Sequence, residues 1–261
     1  MDSSRMVHGR RRPCRVDRPR PSARAEARGR VVQDGAVDSD DAYDEHLSAE
    51  MPWTEVVRTL EGLGWTPCGT GDWACAFRSP SGRLAARVSP FDPAGPYSAM
   101  LYRVAAHTRQ VPVLVDHRVL EGGSDLTVME YLAPVSTAEG AAFHRSIRAR
   151  EPDVAALAGH IDAVHARGAR EQPWWGPLDD NPANVMRGSD GRLVVADLFY
   201  ADGPALYATV RDDPDRVVRD YPEHLRRHMT ELPLASSGGW AVGDAERMRR
   251  ALAAADRRRS G

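Results

Sequence analysis

The stretch Asp179-Asp180-Asn181-Pro182-Ala183-Asn184-Val185 places carboxylates and amides close together in what reads as a loop. Asp179 and Asn184 are five residues apart, and Asp197 lies thirteen further on, after the apolar run Leu193-Val194-Val195. A loop carrying an acid and an amide, followed by a hairpin that returns a second acid, can gather three oxygen-bearing side chains around one point. Hard oxygen donors suit Mg²⁺, which keeps part of its water and leans on phosphate oxygens for the rest of its shell. An acid left off the metal can accept the proton of a hydroxyl nucleophile.

The order Asp, four residues, Asn, then a strand ending in Asp resembles the catalytic loop of the protein kinase-like superfamily. It is closer to the branch of aminoglycoside and other small-molecule phosphotransferases than to the protein kinases. The resemblance implies Asp179 as catalytic base, and Asn184 and Asp197 as Mg²⁺ ligands. Gly69-Thr70-Gly71-Asp72-Trp73-Ala74 falls where the superfamily has its glycine-rich loop. Gly69 and Gly71 there would let backbone amides approach phosphates, with Ala74 in place of the third glycine. Ala85-Ala86-Arg87-Val88 resembles the third strand, and Arg87 holds the position of the Lys that binds the α- and β-phosphates. Val128-Met129-Glu130-Tyr131-Leu132 resembles the hinge between lobes, where the Glu130 carbonyl and the Leu132 N–H would meet the adenine edge. The resemblance runs over residues 65–200 and implies ATP and Mg²⁺ as cofactors.

The chain departs from the superfamily at several further places. The cation at the third strand is Arg, a planar fork and not a compact point charge. No acid lies between Tyr97 and Arg109, so the helix that usually supplies its partner supplies none. Pro177 replaces the His two residues before the catalytic Asp, and Asp180 stands where an apolar residue is expected, read here as a solvated loop acid. The alternative to a phosphotransferase is therefore a kinase-like scaffold that binds nucleotide, or a protein partner, without transferring phosphate. No activation segment ending in Ala-Pro-Glu follows Asp197, which points to a small hydroxylated or amino-bearing acceptor and away from a docked peptide.

The elements that must position these residues are legible in outline. Trp53, Val56, Val57, Leu60 and Leu63 recur at helical spacing, with Gly62 and Gly64 as the stop. Strands are expected over 65–69, 74–78, 84–88 and 126–131, with 111–120 mostly extended and turns at 79–82 and 121–125. A helix over 97–109, following Pro90, Pro93 and Pro96, is inserted after the third strand. Beyond residue 132 the pattern turns helical over 138–148 and 152–167, the latter stopped by Gly168. A loop over 173–184 and a hairpin of 185–187 with 192–196 come next. Helices over 205–211, 215–232 and 244–259 complete the chain. The expected fold is α+β and two-lobed: an N-lobe of antiparallel strands plus one helix over 51–132, and a short helical C-lobe over 133–261.

Residues 1–50 differ in kind. A basic stretch over 10–30 and an acidic one over 34–50, including Asp38, Asp40, Asp41, Asp44 and Glu45, carry few large apolar residues. Such blocks bury too little to offset chain entropy and are read as a disordered, solvated extension. Contact of the basic arm with nucleic acid is the disfavoured alternative, and a start at Met51 is another. The chain has no lysine. Its three cysteines, Cys14, Cys68 and Cys75, match no zinc spacing and are read as buried reduced thiols, the alternative being Cys68 facing Cys75 across a hairpin. His160 and His165 are five apart, which is not the spacing of two ligands on one helix face. Trp174 and Trp175 are read as packing residues. No apolar run of about 18 residues suggests a membrane span, and a cytoplasmic location is expected.

Overall fold

In the computed structural model, residues 42–232 and 241–261 are described. The basic stretch 10–30, Cys14, Asp38, Asp40 and Asp41 lie outside them. Two helices, α1 (Ala42–His46) and α2 (Trp53–Gly62), precede a five-stranded antiparallel sheet. Its strands are β1 (Thr66–Thr70), β2 (Cys75–Arg78), β3 (Leu84–Ser89), β4 (Leu114–Val119) and β5 (Asp125–Glu130), in the order β1-β2-β3-β5-β4. Strand alternation divides their side chains between two faces. Phe77, Ala86, Val88, Leu126 and Val128 pack under Val56, Val57 and Leu60 of α2. Arg87 and Thr127, paired across β3 and β5, belong to the alternate positions. Helix α3 (Gly95–Val104) is inserted between β3 and β4.

The second half begins with β6 (Ala133–Pro134), α4 (Thr137–Ala149) and α5 (Ala155–Glu171). Strands β7 (Val185–Arg187) and β8 (Leu193–Val195) join β6 in a three-stranded sheet. Helices α6 (Gly203–Asp212), α7 (Pro214–Asp220), α8 (Glu223–Arg226) and α9 (Asp244–Ser260) complete it. This is the α+β arrangement expected from the sequence, an antiparallel sheet with one inserted helix followed by a largely helical half. No helix among the described residues is long and apolar enough to cross a membrane.

Several boundaries differ, each for a local reason. The acidic segment is ordered from residue 42: Tyr43 and Leu47 are buried in the α2–sheet core, with Tyr43 edge-on to Trp65 at 5.8 Å. Apolar residues among the acids supply the burial that the average composition hides. Pro96 lies inside the first turn of α3 and does not precede it, because a proline there gives up an N–H that has no helical partner anyway. The helix also ends early, at Val104, with a 3₁₀ turn and a left-handed Arg109 beyond it. Gly168 does not stop α5: a Cβ there would lie 2.3 Å from the Trp175 ring, so the glycine admits the indole. The helix expected over 215–232 breaks at Tyr221 and Pro222 into α7 and α8, since Pro222 cannot continue it. Cys68 is exposed and its thiol free, and the bulged β1–β2 register puts Thr70 opposite Cys75.

The two lobes are tied together away from the cleft. Phe91, from the loop after β3, is buried in the core of the C-terminal helices and meets Tyr221 edge-on at 5.7 Å. Gly123, in the β4–β5 turn, has φ +82° and sits so close to Leu225 that a Cβ would be 2.0 Å from its carbonyl oxygen. His228 bridges Glu121 of that turn (3.1 Å) and Glu231 (2.9 Å). Glu231 in turn accepts a hydrogen bond from the Trp53 indole at 2.6 Å.

Candidate active site

The loop over 176–184 is built from both sides. Asp179 N–H donates to the Leu198 carbonyl (3.0 Å), and Gly176 N–H to that of Tyr200 (2.9 Å), so the strand leaving β8 runs alongside it. Helix α4 supports it on another side. A Cβ at Gly140 would lie 2.2 Å from the Pro182 carbonyl oxygen, and the buried His144 ring meets the Asn181 carbonyl at 3.1 Å. His165 of α5 meets the Gly176 carbonyl at 3.2 Å. Neither α4 residue stands out in the sequence; Gly140 and His144, four apart on one helix, are the available signal.

This scaffold brings the three predicted residues together. The Asn184 amide nitrogen donates to Asp179 Oδ2 (2.9 Å) and to the Asp197 carbonyl (3.0 Å). Both amide hydrogens are thereby used, leaving Asn184 Oδ1 free to ligate a cation. Asp179 Oδ1 accepts from the Asn181 backbone at 2.9 Å, which fixes the carboxylate plane. Asp197 has φ +52°, a left-handed conformation that Asp tolerates better than most residues. It comes two residues after β8, with its carboxylate half exposed. Among the described residues no group of three or more His, Cys, Asp or Glu side chains is placed to hold a metal ion. The donor set here is one carboxylate and one amide oxygen. It fits Mg²⁺, which takes few protein ligands and completes its shell with water and phosphate.

Arg87 lies at the other side of the same point. Its Nη2 is 3.3 Å from Asp197 Oδ1 and its Nη1 is 2.7 Å from Asp92 Oδ2. The helix acid that the sequence lacks is thus replaced by Asp92, a buried residue from the loop before α3. Its other oxygen accepts from Ala94 N–H (2.9 Å) and Gly95 N–H (3.0 Å), capping the helix start. An Asp followed by Pro at a turn is the sequence signal for such a cap. Behind it Asp125, fully buried, pairs with His117 at 2.7 Å and lies over Gly95. Burial opposes the charge of Arg87, but Asp197, Asp92 and Asp125 together hold its guanidinium well above the ordinary value. Burial pushes the Asp92 carboxyl up against the downward pull of Arg87. Tyr102 of α3 accepts a hydrogen bond from Asp197 N–H at 3.2 Å, and burial, with Asp197 nearby, raises its hydroxyl.

The other residues predicted to meet the nucleotide are carried by the five-stranded sheet and its ends. Gly69 is in β1 and Gly71 opens the β1–β2 turn, its N–H donating to the Ala74 carbonyl at 2.9 Å. Neither has a positive φ, and Cβ atoms there would make ordinary contacts of 3.7 and 3.9 Å. Trp73, at the turn's tip, packs on Phe91, and its carbonyl accepts from Ser89 Oγ at 2.6 Å. Glu130 ends β5, its side chain holding Val113 N–H (2.8 Å) and Arg192; Leu132 is buried two residues on. Asp180 is exposed and paired with Arg148 at 2.8 Å. Trp174 stacks on Tyr221 in the core, and Trp175 packs among Tyr97, His165 and Phe199.

No family model matches this sequence, and no curated protein does. Among solved structures the chain is similar to a pseudokinase in its apo form, at 14% identity and a TM-score of 0.29, covering 72% of this chain and 82% of that one. It is also similar to the kinase domain of PknI from Mycobacterium tuberculosis, at 16% identity and a TM-score of 0.28, covering 73% of this chain and 94% of that one. Overlap this slight says nothing about chemistry, which has to be read from the site itself.

Proposed function

We propose that the protein is an ATP-dependent phosphotransferase of the kinase-like type, acting on the hydroxyl of a small molecule. The observation that carries this is that Asn184 ties the Asp179 carboxylate to the Asp197 backbone, while the Asp197 carboxylate lies 3.3 Å from the Arg87 guanidinium. Asp179 orients the acceptor hydroxyl and takes its proton. Asn184 Oδ1 and the Asp197 carboxylate would hold Mg²⁺, which supplies charge to the phosphate oxygens. Arg87 adds a fixed positive charge, and Asp92 keeps its fork aimed.

Gly69 and Gly71 would receive the phosphates, since without side chains there a ligand can come close to the backbone of the β1–β2 turn. The Glu130 carbonyl and Leu132 N–H would meet the adenine. A small acceptor is favoured by the short connection after the metal-binding acid. Residues 198–202 lead from Asp197 straight into α6, leaving no extended segment to dock a peptide.

Calorimetric titration of the full chain with ATP, with and without Mg²⁺, tests the reading. Asp197→Ala should lose Mg-dependent binding. Asp179→Asn should keep ATP affinity within about threefold while slow ATP hydrolysis falls by two orders of magnitude or more, on the order of a general base's contribution. Binding with no turnover, unchanged by Asp179→Asn, would favour the non-catalytic scaffold. Unchanged affinity in Asp197→Ala would overturn the metal site.

A further inference from the structure

Tyr102, whose hydroxyl accepts from Asp197 N–H, also lines a second site. There a cavity of about 560 Å³ opens between the end of α3, β4 and the β7–β8 turn. That volume is within the range of small-molecule sites, about 300–1,000 Å³. Its apolar wall includes Val113 and Val115, which are 56% and 49% exposed and so present uncovered hydrocarbon. β4 is an edge strand, so nothing in the sheet covers this side.

The lining carries Arg103, Arg109 and Arg192 against Asp116 and Asp190. Arg109 and Arg192 share Asp190, and Arg192 is held also by Glu130. Asp116, a further lining acid, is engaged by Arg118 at 2.7 Å. Arg103, exposed on the last turn of α3, lines the same cavity and has no ion-pair partner among the described residues. Every lining carboxylate thus has its arginine, and one arginine is left over beside open apolar surface.

We propose that this cavity binds a small amphipathic anion, an apolar body carrying one carboxylate or phosphate. Arg103 meets the charge, and Val113 and Val115 take the body. A neutral molecule of the same shape forgoes the charge-assisted contact, and a cation meets an uncompensated arginine.

Three matched probes separate these cases: 4-phenylbutanoate, 4-phenylbutanol and 4-phenylbutylamine, each titrated calorimetrically into the full chain. The anion should bind with one-to-one stoichiometry, the alcohol at least tenfold more weakly, and the amine not measurably. Arg103→Glu should weaken the anion at least tenfold, as should Val113→Asp. Val104→Asp, exposed but outside the cavity, should leave it unchanged. These positions are on the surface, and equal melting temperatures establish that the variants are folded. No binding of the anion at millimolar concentration, equal binding of the alcohol, or indifference to Arg103→Glu would each overturn the proposal.

Discussion

Arg87, partly buried, and Asp92, buried, are an ion pair whose members have unequal roles. Arg87 faces the candidate phosphate site, while Asp92 holds it there and caps α3. Removing Asp92 alone leaves a partly buried guanidinium short of a counter-charge and two helix amides without their acceptor. Asp92→Ala is expected to cost about 3–5 kcal/mol, measured by denaturant unfolding. Arg87→Met combined with Asp92→Leu should recover much of that stability while abolishing ATP binding, because apolar replacement of both partners removes the stranded charge. An equal loss in the double variant would show that the pair, together with the cap Asp92 gives to α3, contributes net stability. At this scale the sequence is legible where a function needs a fixed spacing. Asp179, Asn184 and Asp197 can be found because loop and hairpin lengths set their separation. Asp92 escapes a reading that seeks the partner of Arg87 on the helix, whereas an ion pair needs only proximity, which a turn before the helix provides equally well. Tyr102 and His117 are not visible either, as their roles depend on contacts between elements far apart in sequence or on the pairing of strands.

Glycines carry much of the positioning among the elements. Gly140 allows α4 to approach the loop at Pro182, and Gly95 allows Asp125 to lie over the start of α3, where a Cβ would be 2.5 Å from the carboxyl carbon. The two should fail differently. Gly95→Ala presses on a carboxylate locked by His117, and an overpacked core of this kind loses about 1–3 kcal/mol, read as a lower melting temperature. Gly140→Ala pushes on the backbone of the site loop, so its main effect should be on ATP turnover, with a fall of tenfold or more at little change in nucleotide affinity. A turnover loss explained wholly by unfolding would remove α4 from the site's support. Element existence is readable from periodicity, in the sheet above all. Glycine and proline are harder, since each has two uses. Gly168 reads as a stop and is a contact with Trp175; Pro96 reads as a breaker and is a starter.

The two lobes are not independent bodies. Phe91 is buried in the C-terminal core, the β4–β5 turn meets α8 through Gly123, and Trp53 reaches Glu231. Thermal unfolding should therefore be a single transition with coincident probes for sheet and helix. Phe91→Ala, at a cost of about 3–5 kcal/mol, should lower both together; a sheet signal left in place while the helical signal melts would contradict the coupling. The order of sheet and helix along the chain announces two lobes, but nothing local in the sequence announces this tie. Its members are separated by about a hundred residues or more, as Phe91 and Tyr221 or Trp53 and Glu231 are, and a lone Phe in a proline-rich loop has no pattern to mark it. Phe91 also carries the indole of Trp73, so the tip of the glycine loop rests on the same tie. With the lobes held, entry to the candidate site falls to that short loop, anchored by the packing of Trp73 on Phe91 and by the Ser89 hydroxyl on the Trp73 carbonyl. Opening of the candidate site would then keep to the nanosecond-to-microsecond clock of loops, and not the slower one of swinging domains.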